Sequence, residues 1–294
     1  MKIAIYQEIR STSNPEDFAI FNAIKRHPEV TDVVMLEPKN LRIEINNTGV
    51  RFVFNDIELT KENFDYFFVR GGFTSSPTVV ELVRHCRRVG IKAFDNNFSE
   101  IRYLINKRAD NIKFAINDLP IPNSYIFSNL TDIQDLNLTF PLVMKTTNTG
   151  KGKNVFKVSS LEEIERILTE KDKQLQAFIF QDIIDYEHDL RVLVAGDEVL
   201  GVMKRIPKPG DFRANFSLGG TVEPFTSTPE IDALAVKAAK SCSLLISGVD
   251  VLVGKDGKLW ILEANRTPGL EGISQALGGQ IADRVVNFMI ENAS

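Results

Sequence analysis

Hydrophobic positions in the first part of the chain alternate between short runs and helical stripes. KIAIY at 2–6 is an apolar run, Phe18, Ala19, Phe21, Ala23 and Ile24 repeat at helical spacing within 16–26, and VVML at 33–36 is apolar again. Residues 41–59 alternate as short antiparallel strands do, and FDYFFV at 64–69 has the pattern of a buried strand running into Arg70-Gly71-Gly72. A helix over 77–89 and an IKAF strand at 91–94 follow. This order predicts an α/β layer on a mostly parallel sheet.

After Phe94 the character changes. Helical stretches over 98–117 run into Leu119-Pro120-Ile121-Pro122, a break between units. An α+β segment is expected next, with strands at 124–127, 140–145 and 154–158, a helix at 160–169 and a strand at 176–181. Strands at 189–195 and 198–204, a loop, a helix from 229 to about 246, a hairpin at 248–265 and a final helix complete the chain. The expected divisions give three segments, 1–96, 97–184 and 185–294.

Composition excludes several classes. With 43% hydrophobic and 25% charged residues, the 294-residue chain can bury sizeable cores. The net charge of -4 argues against a nucleic-acid partner. No apolar run approaches the roughly 18 residues that suggest a membrane span, and MKIAIYQEIRSTSNPED turns charged too soon for a secretory signal. Cys86 and Cys242 are the only cysteines, which fits a reducing compartment and excludes the usual structural zinc site. A cytoplasmic protein is expected.

The most informative segment is GVDVLVGKDGKLWILEAN at 248–265. Asp256-Gly257 between two apolar runs predicts a two-residue hairpin turn, with Lys255 facing Lys258 and Asp250 facing Glu263. Asn265 then shares a face with Glu263. Two facing carboxylates repel, and a hard cation such as magnesium would remove the conflict; alternatively, one or both sit solvated at a strand end.

Other candidates are individually modest. Lys145 ends a strand and is followed by Gly150 and Gly152 in a polar loop that could cradle phosphates, or could be a plain hairpin loop. The loop is neither a P-loop nor a GxGxxG fingerprint. Lys107 alone reads as a surface lysine. KRIPKPGDFRAN gathers Lys204, Arg205, Lys208 and Arg213, either as a solvated loop or as an anion site. DLRVLV puts Asp189 and Arg191 on one strand face. His27, His85 and His188 share no pattern.

In order and spacing, HDLRVLVAGDEVLG, GDFRANFSLGG, and GVDVLV followed by LEANRTPGLEG resemble the ATP-grasp superfamily and, within it, the RimK-type ligases. The likeness covers essentially the whole chain. It implies an α/β and α+β protein with an N-terminal Rossmann-like pre-ATP-grasp domain (1–96), a small lid subdomain with preceding helices (97–184) and a C-terminal metal-binding core (185–294). It further implies that Lys107 and Lys145 contact ATP phosphates, with Gly150 and Gly152 in a closing lid loop. Gln181, Asp182, Ile183 and Ile184 match the segment whose backbone bonds adenine, and Asp189 matches the ribose position. Arg213 and Asn215 match an RxN motif facing the phosphates, and Asp250, Glu263 and Asn265 match magnesium ligands. Two ions are expected, with manganese as a substitute.

The implied reaction turns a carboxylate into an acyl phosphate, which an amine attacks; Lys145, Arg205 and Arg213 would supply fixed positive charge. PGLEG favours the RimK-type group, which adds amino acids, often glutamate, to carboxyl termini. The partners would be a carboxylate (peptide, protein tail or small molecule) and an amino-acid amine, with no nucleic acid, no membrane and a homo-oligomer compatible with the family. Arg10, Arg70, Arg191 and Arg266 are candidate substrate contacts. The sequence departs from the family where Asp182 replaces the usual Glu and Arg266 the usual small residue. A small-metabolite ligase and a non-catalytic nucleotide sensor are the competing readings. A nicotinamide oxidoreductase is disfavoured because KIAIYQEIRSTS has no glycine fingerprint.

Overall fold

The computed structural model describes residues 1–9, 15–47, 49–70, 77–95, 98, 106–136, 138–147, 154–208 and 220–294. They fall into two compact units, Met1–Leu104 with Arg266–Ser294, and Ile105–Asn265.

The first unit starts with β1 (Lys2–Gln7), α1 (Pro15–Arg26), β2 (Asp32–Leu36), β3 (Leu41–Asn46), β4 (Gly49–Phe54), β5 (Ile57–Glu58), β6 (Tyr66–Arg70), α2 (Pro77–Arg88) and β7 (Lys92–Phe94). The strands β2-β1-β6-β7 form an all-parallel sheet. The unbroken apolar run of β1 suits this position, since Ile3, Ala4 and Ile5 are wholly buried. α2 contributes the buried stripe Val79, Val80, Leu82, Val83 and Cys86. Strands β3, β4 and β5 form a separate antiparallel sheet. There Asn55 and Asp56, both at positive φ, make the two-residue turn between β4 and β5.

The second unit runs through α3 (Lys107–Ile116), β8 (Ser124–Tyr125), α4 (Leu130–Asp135), β9 (Leu142–Thr146), β10 (Val155–Val158), α5 (Leu161–Lys171) and β11 (Phe178–Asp182). These strands pair antiparallel in the order β10-β9-β11-β8. Met144, Phe178, Phe180 and Ile164 of α5 lie in their shared core. Then come β12 (Tyr186–Ala195), β13 (Glu198–Ile206), β14 (Thr221–Pro224), α6 (Pro229–Ser241), β15 (Ile246–Gly254) and β16 (Leu259–Asn265). They form a five-stranded antiparallel sheet, β14-β13-β12-β15-β16, against which α6 packs.

The chain then returns to the first unit with α7 (Glu271–Leu277) and α8 (Ile281–Glu291), which pack on α1. The Arg26 guanidinium reaches Asp283 at 2.6 Å, the Ala93 amide donates to the carbonyl of Ser294, and Phe288 meets Phe94 edge-on.

Several expectations change. The helix expected to reach about 246 ends at Ser241, because Ser243 turns to positive φ and β15 begins at Ile246. The single final helix is two, separated at Gly278, which has a φ of +92°. The strand expected at 124–127 covers only Ser124–Tyr125. α4 and β14 were not foreseen; LTDIQD and TVEP carry too little apolar pattern to announce them.

Candidate active site

Strand alternation collects Asp189, Arg191, Arg205, Asp250 and Glu263 on one face of the five-stranded sheet. Asp189 stands opposite Arg205, Arg191 opposite Asp250, and Asp250 opposite Glu263. The intervening Leu190, Val192, Val249 and Val251 are wholly buried.

Asp250 and Glu263 face each other as expected, but the turn that leads to them differs. The Gly254 amide bonds Lys258 O at 2.8 Å, and the Gly257 amide bonds Gly254 O at 2.9 Å. Gly257 alone takes positive φ; Asp256 does not. A two-residue type I′ turn needs positive φ at both centres, so the loop is three residues, Lys255 to Gly257. Lys255 therefore does not face Lys258, and Leu252 pairs with Trp260 and Val251 with Ile261. A bulge at Leu262 then adds one residue to β16 and restores Asp250 to Glu263. It also turns Glu263 to the opposite face from Ile261, as bulges beside functional sites do.

Each carboxylate meets a cation. Arg191 donates to both oxygens of Asp250, with Nη2 at 3.1 Å from Oδ2. Arg205 bridges two acids: Nε lies 2.9 Å from Asp189 Oδ1, and Nη1 lies 3.1 Å from Asp250 Oδ2. Burial acts against the Arg205 charge, but Asp189 and Asp250 outweigh it and raise its pKa further. Lys107 pairs directly with Glu263 Oε2. Burial alone would raise the Glu263 carboxyl; the charge and hydrogen bond of Lys107, helped by Arg191 and Lys145, hold it well below the usual carboxylate range. Asn265 Nδ2 donates to Glu263 Oε1 at 2.9 Å and to Gly248 O at 3.1 Å, so its carbonyl oxygen is spent on neither bond.

Lys145 lies buried near the end of β9. Burial, with the charge of Lys107 adding to it, pushes its pKa down to about 8. The Lys107 amide donates to Thr147 O at 2.9 Å, just beyond β9. Gln181 turns its side chain inward to Asn111 and Ser124, at 3.0 and 2.7 Å. Asp182 accepts from Asn123 Nδ2 at 2.7 Å, and Ile183 and Ile184 follow the end of β11.

The second unit thus brings together Lys107, Lys145, Asp189, Arg191, Arg205, Asp250, Glu263 and Asn265. Arg70 and Arg266 belong to the first unit, where both are buried and Arg70 Nη2 donates to Pro268 O. Arg10, Gly150, Gly152, Arg213 and Asn215 lie outside the described residues. Asn111 escaped the sequence reading; its only signal is its place one helical turn after Lys107.

Among the described residues, no group of three or more His, Cys, Asp or Glu side chains is arranged to hold a metal. The set here is two carboxylates and an amide. These hard oxygen donors have the chemistry that suits magnesium.

Residues 106–289 match the RimK-like ATP-grasp domain. A probable alpha-L-glutamate ligase of Thioalkalivibrio sulfidiphilus is 28% identical over 271 residues, covering 89% of this chain and 87% of that protein. Probable alpha-L-glutamate ligase 2 of Shewanella frigidimarina is 37% identical over 170 residues, 57% of this chain and 56% of that protein. In that comparison the chain spans little more than half the relative's length. Among solved structures, the ATP-grasp ligase PsnB complexed with a phosphomimetic variant of its minimal precursor, Mg and ADP superposes with a TM-score of 0.74. That likeness covers 99% of this chain and 98% of PsnB at 15% identity, so it speaks for the fold alone.

Proposed function

This chain belongs to the RimK-like ATP-grasp family of carboxylate–amine ligases, and from that premise we propose that it activates a carboxylate as an acyl phosphate and joins it to an amino acid, glutamate first among the candidates. The observation that carries the reading is the facing pair Asp250–Glu263, set among Lys107, Lys145, Arg191 and Arg205. A peptide or protein tail is the proposed carboxylate. The relatives' name supports glutamate, and the precursor peptide with which PsnB is complexed in another solved structure supports an extended acceptor.

In the proposed reaction a carboxylate oxygen bonds to the γ-phosphorus and ADP leaves. The amine nitrogen then bonds to the carbonyl carbon, the carbon–oxygen bond to phosphate breaks, and the amine loses its proton. Asp250, Glu263 and the Asn265 carbonyl would hold magnesium, which when bound supplies positive charge to phosphate oxygens. Lys107 and Lys145 would orient the nucleotide's phosphates, and Arg205 would keep Asp250 aimed while adding charge near the reacting carboxylate. Asp189 would meet the ribose, and the backbone from Gln181 to Ile184 the adenine. Arg213, Asn215, Gly150 and Gly152 are proposed to complete the phosphate site, and Arg10, Arg70, Arg191 and Arg266 to contact substrate. The division at residues 96 and 184 is proposed as a functional one: pre-ATP-grasp region, lid and metal core.

The test is an ADP-release screen of amino acids and short peptides with ATP and magnesium, followed by product mass. A product heavier by one amino-acid residue is expected; ATP consumption with no product in any combination would refute the ligase reading.

Lys145 gives this site a pH dependence. It carries its charge below about 8 and loses it as the pH rises through that value. ADP affinity should therefore fall across that range, with a proton taken up on binding just above it. Calorimetry in buffers of different ionisation enthalpy measures both. An affinity that stays flat would remove Lys145 from the phosphate site.

A further inference from the structure

Lys107 is the first residue of α3, and its backbone is held on both sides. Its amide donates to Thr147 O at 2.9 Å, and its carbonyl accepts from Asn111 Nδ2 at 2.8 Å. Asn111 is buried, as is Gln181 on β11. Gln181 Nε2 donates to Asn111 Oδ1 at 3.0 Å and to Ser124 Oγ at 2.7 Å, and the Ser124 hydroxyl donates to Pro122 O at 2.7 Å. The donations diverge from Gln181, whose two amide protons go one to Asn111 and one to Ser124. The Lys107 ammonium meets Glu263 on β16.

We propose that Asn111 is a positioning residue: through the buried amide relay Gln181–Asn111–Lys107 carbonyl, it fixes the root of the Lys107 side chain relative to β11. A helix interior disfavours Asn, whose amide competes for backbone partners, so its place here calls for a reason. The relay supplies one. A lysine stem is flexible, and a charge that must meet phosphate at one point depends on where its backbone is anchored. The relay is strong because buried amides cannot turn to water when a partner is lost. The proposal rests on the reading of Lys107 as a nucleotide-phosphate contact.

The test is a double-mutant cycle read as affinity for ADP with magnesium, by calorimetry on the full chain. Asn111→Leu is expected to weaken binding about tenfold, the scale of one buried hydrogen bond. On a Lys107→Met background the same substitution should change affinity little, because the residue it positions is gone. A merely structural role would instead weaken both backgrounds equally, and that additive result, or no effect of Asn111→Leu on wild type, would overturn the proposal. Asn111→Ala removes the same amide with a smaller side chain and should show the same non-additivity, which keeps the test open if Asn111→Leu does not fold. If Lys107→Met alone leaves ADP affinity unchanged, the phosphate role of Lys107 fails first and the proposal falls with it.

Discussion

Asp250→Asn and Glu263→Gln should each abolish ADP production while the chain stays folded. Both substitutions preserve size and remove a charge that the site is built around. A hard cation bound by neutral amides loses most of its attraction, and the loss of transition-state stabilisation should reach ~4 kcal/mol, about a thousandfold in rate. The fold should survive because each new amide still accepts a hydrogen bond, and because Arg205 keeps its contacts with Asp189 when the charge on Asp250 is removed. A coupled ADP assay beside circular dichroism measures the two quantities. Full activity in either variant would remove the pair from the metal site.

The largest effect on stability is expected from Arg205→Met. Arg205 is only 5% exposed and neutralises Asp189 and Asp250 together. Without it Asp250 retains Arg191, whereas Asp189 loses the two hydrogen bonds that Arg205 donates from Nε and Nη2 to its Oδ1. Leaving a buried carboxylate uncompensated costs about 3–5 kcal/mol, which urea denaturation would read directly. Arg205→Lys should recover only part of this, since a single ammonium cannot span the two acids as a planar guanidinium does. Adding Asp189→Asn to Arg205→Met should also restore part of the loss. An Arg205→Met chain within ~0.5 kcal/mol of wild type would show that the bridge contributes nothing to folding.

How far the sequence announced these features depends on what each one rests on. The parallel sheet was legible because β1 and β6 are continuous apolar runs, and a buried strand needs little else. The pairing of Asp250 with Glu263 was legible too, but for an incomplete reason. Asp-Gly suits a two-residue turn and a three-residue loop equally well, and only the backbone of Asp256 distinguishes them. The longer loop shifts the register by one residue, and the bulge at Leu262 shifts it back. Neither Leu262 nor its neighbours mark that bulge.

The end of α6 is hidden in the sequence because apolar Cys242, Leu244, Leu245 and Ile246 continue the pattern without a glycine to stop it. Asn111 was invisible for a different reason. A polar residue on a helix looks solvated until the strand beside it, here β11 with Gln181, is in place. The ion network combines both cases. Asp189, Arg205 and Asp250 were each readable as candidates, but the single guanidinium that joins them depends on the register of three strands at once.

Activation of a carboxylate by phosphorylation is the proposed step on which the rest of the reaction depends. The most direct test is the wild-type reaction with ATP, magnesium and the substrate pair found by the ADP-release screen, with heavy oxygen in the acceptor carboxylate. If the carboxylate becomes an acyl phosphate, one heavy oxygen must leave with the inorganic phosphate for each amide formed. Amide formation with no label in the phosphate would contradict the account.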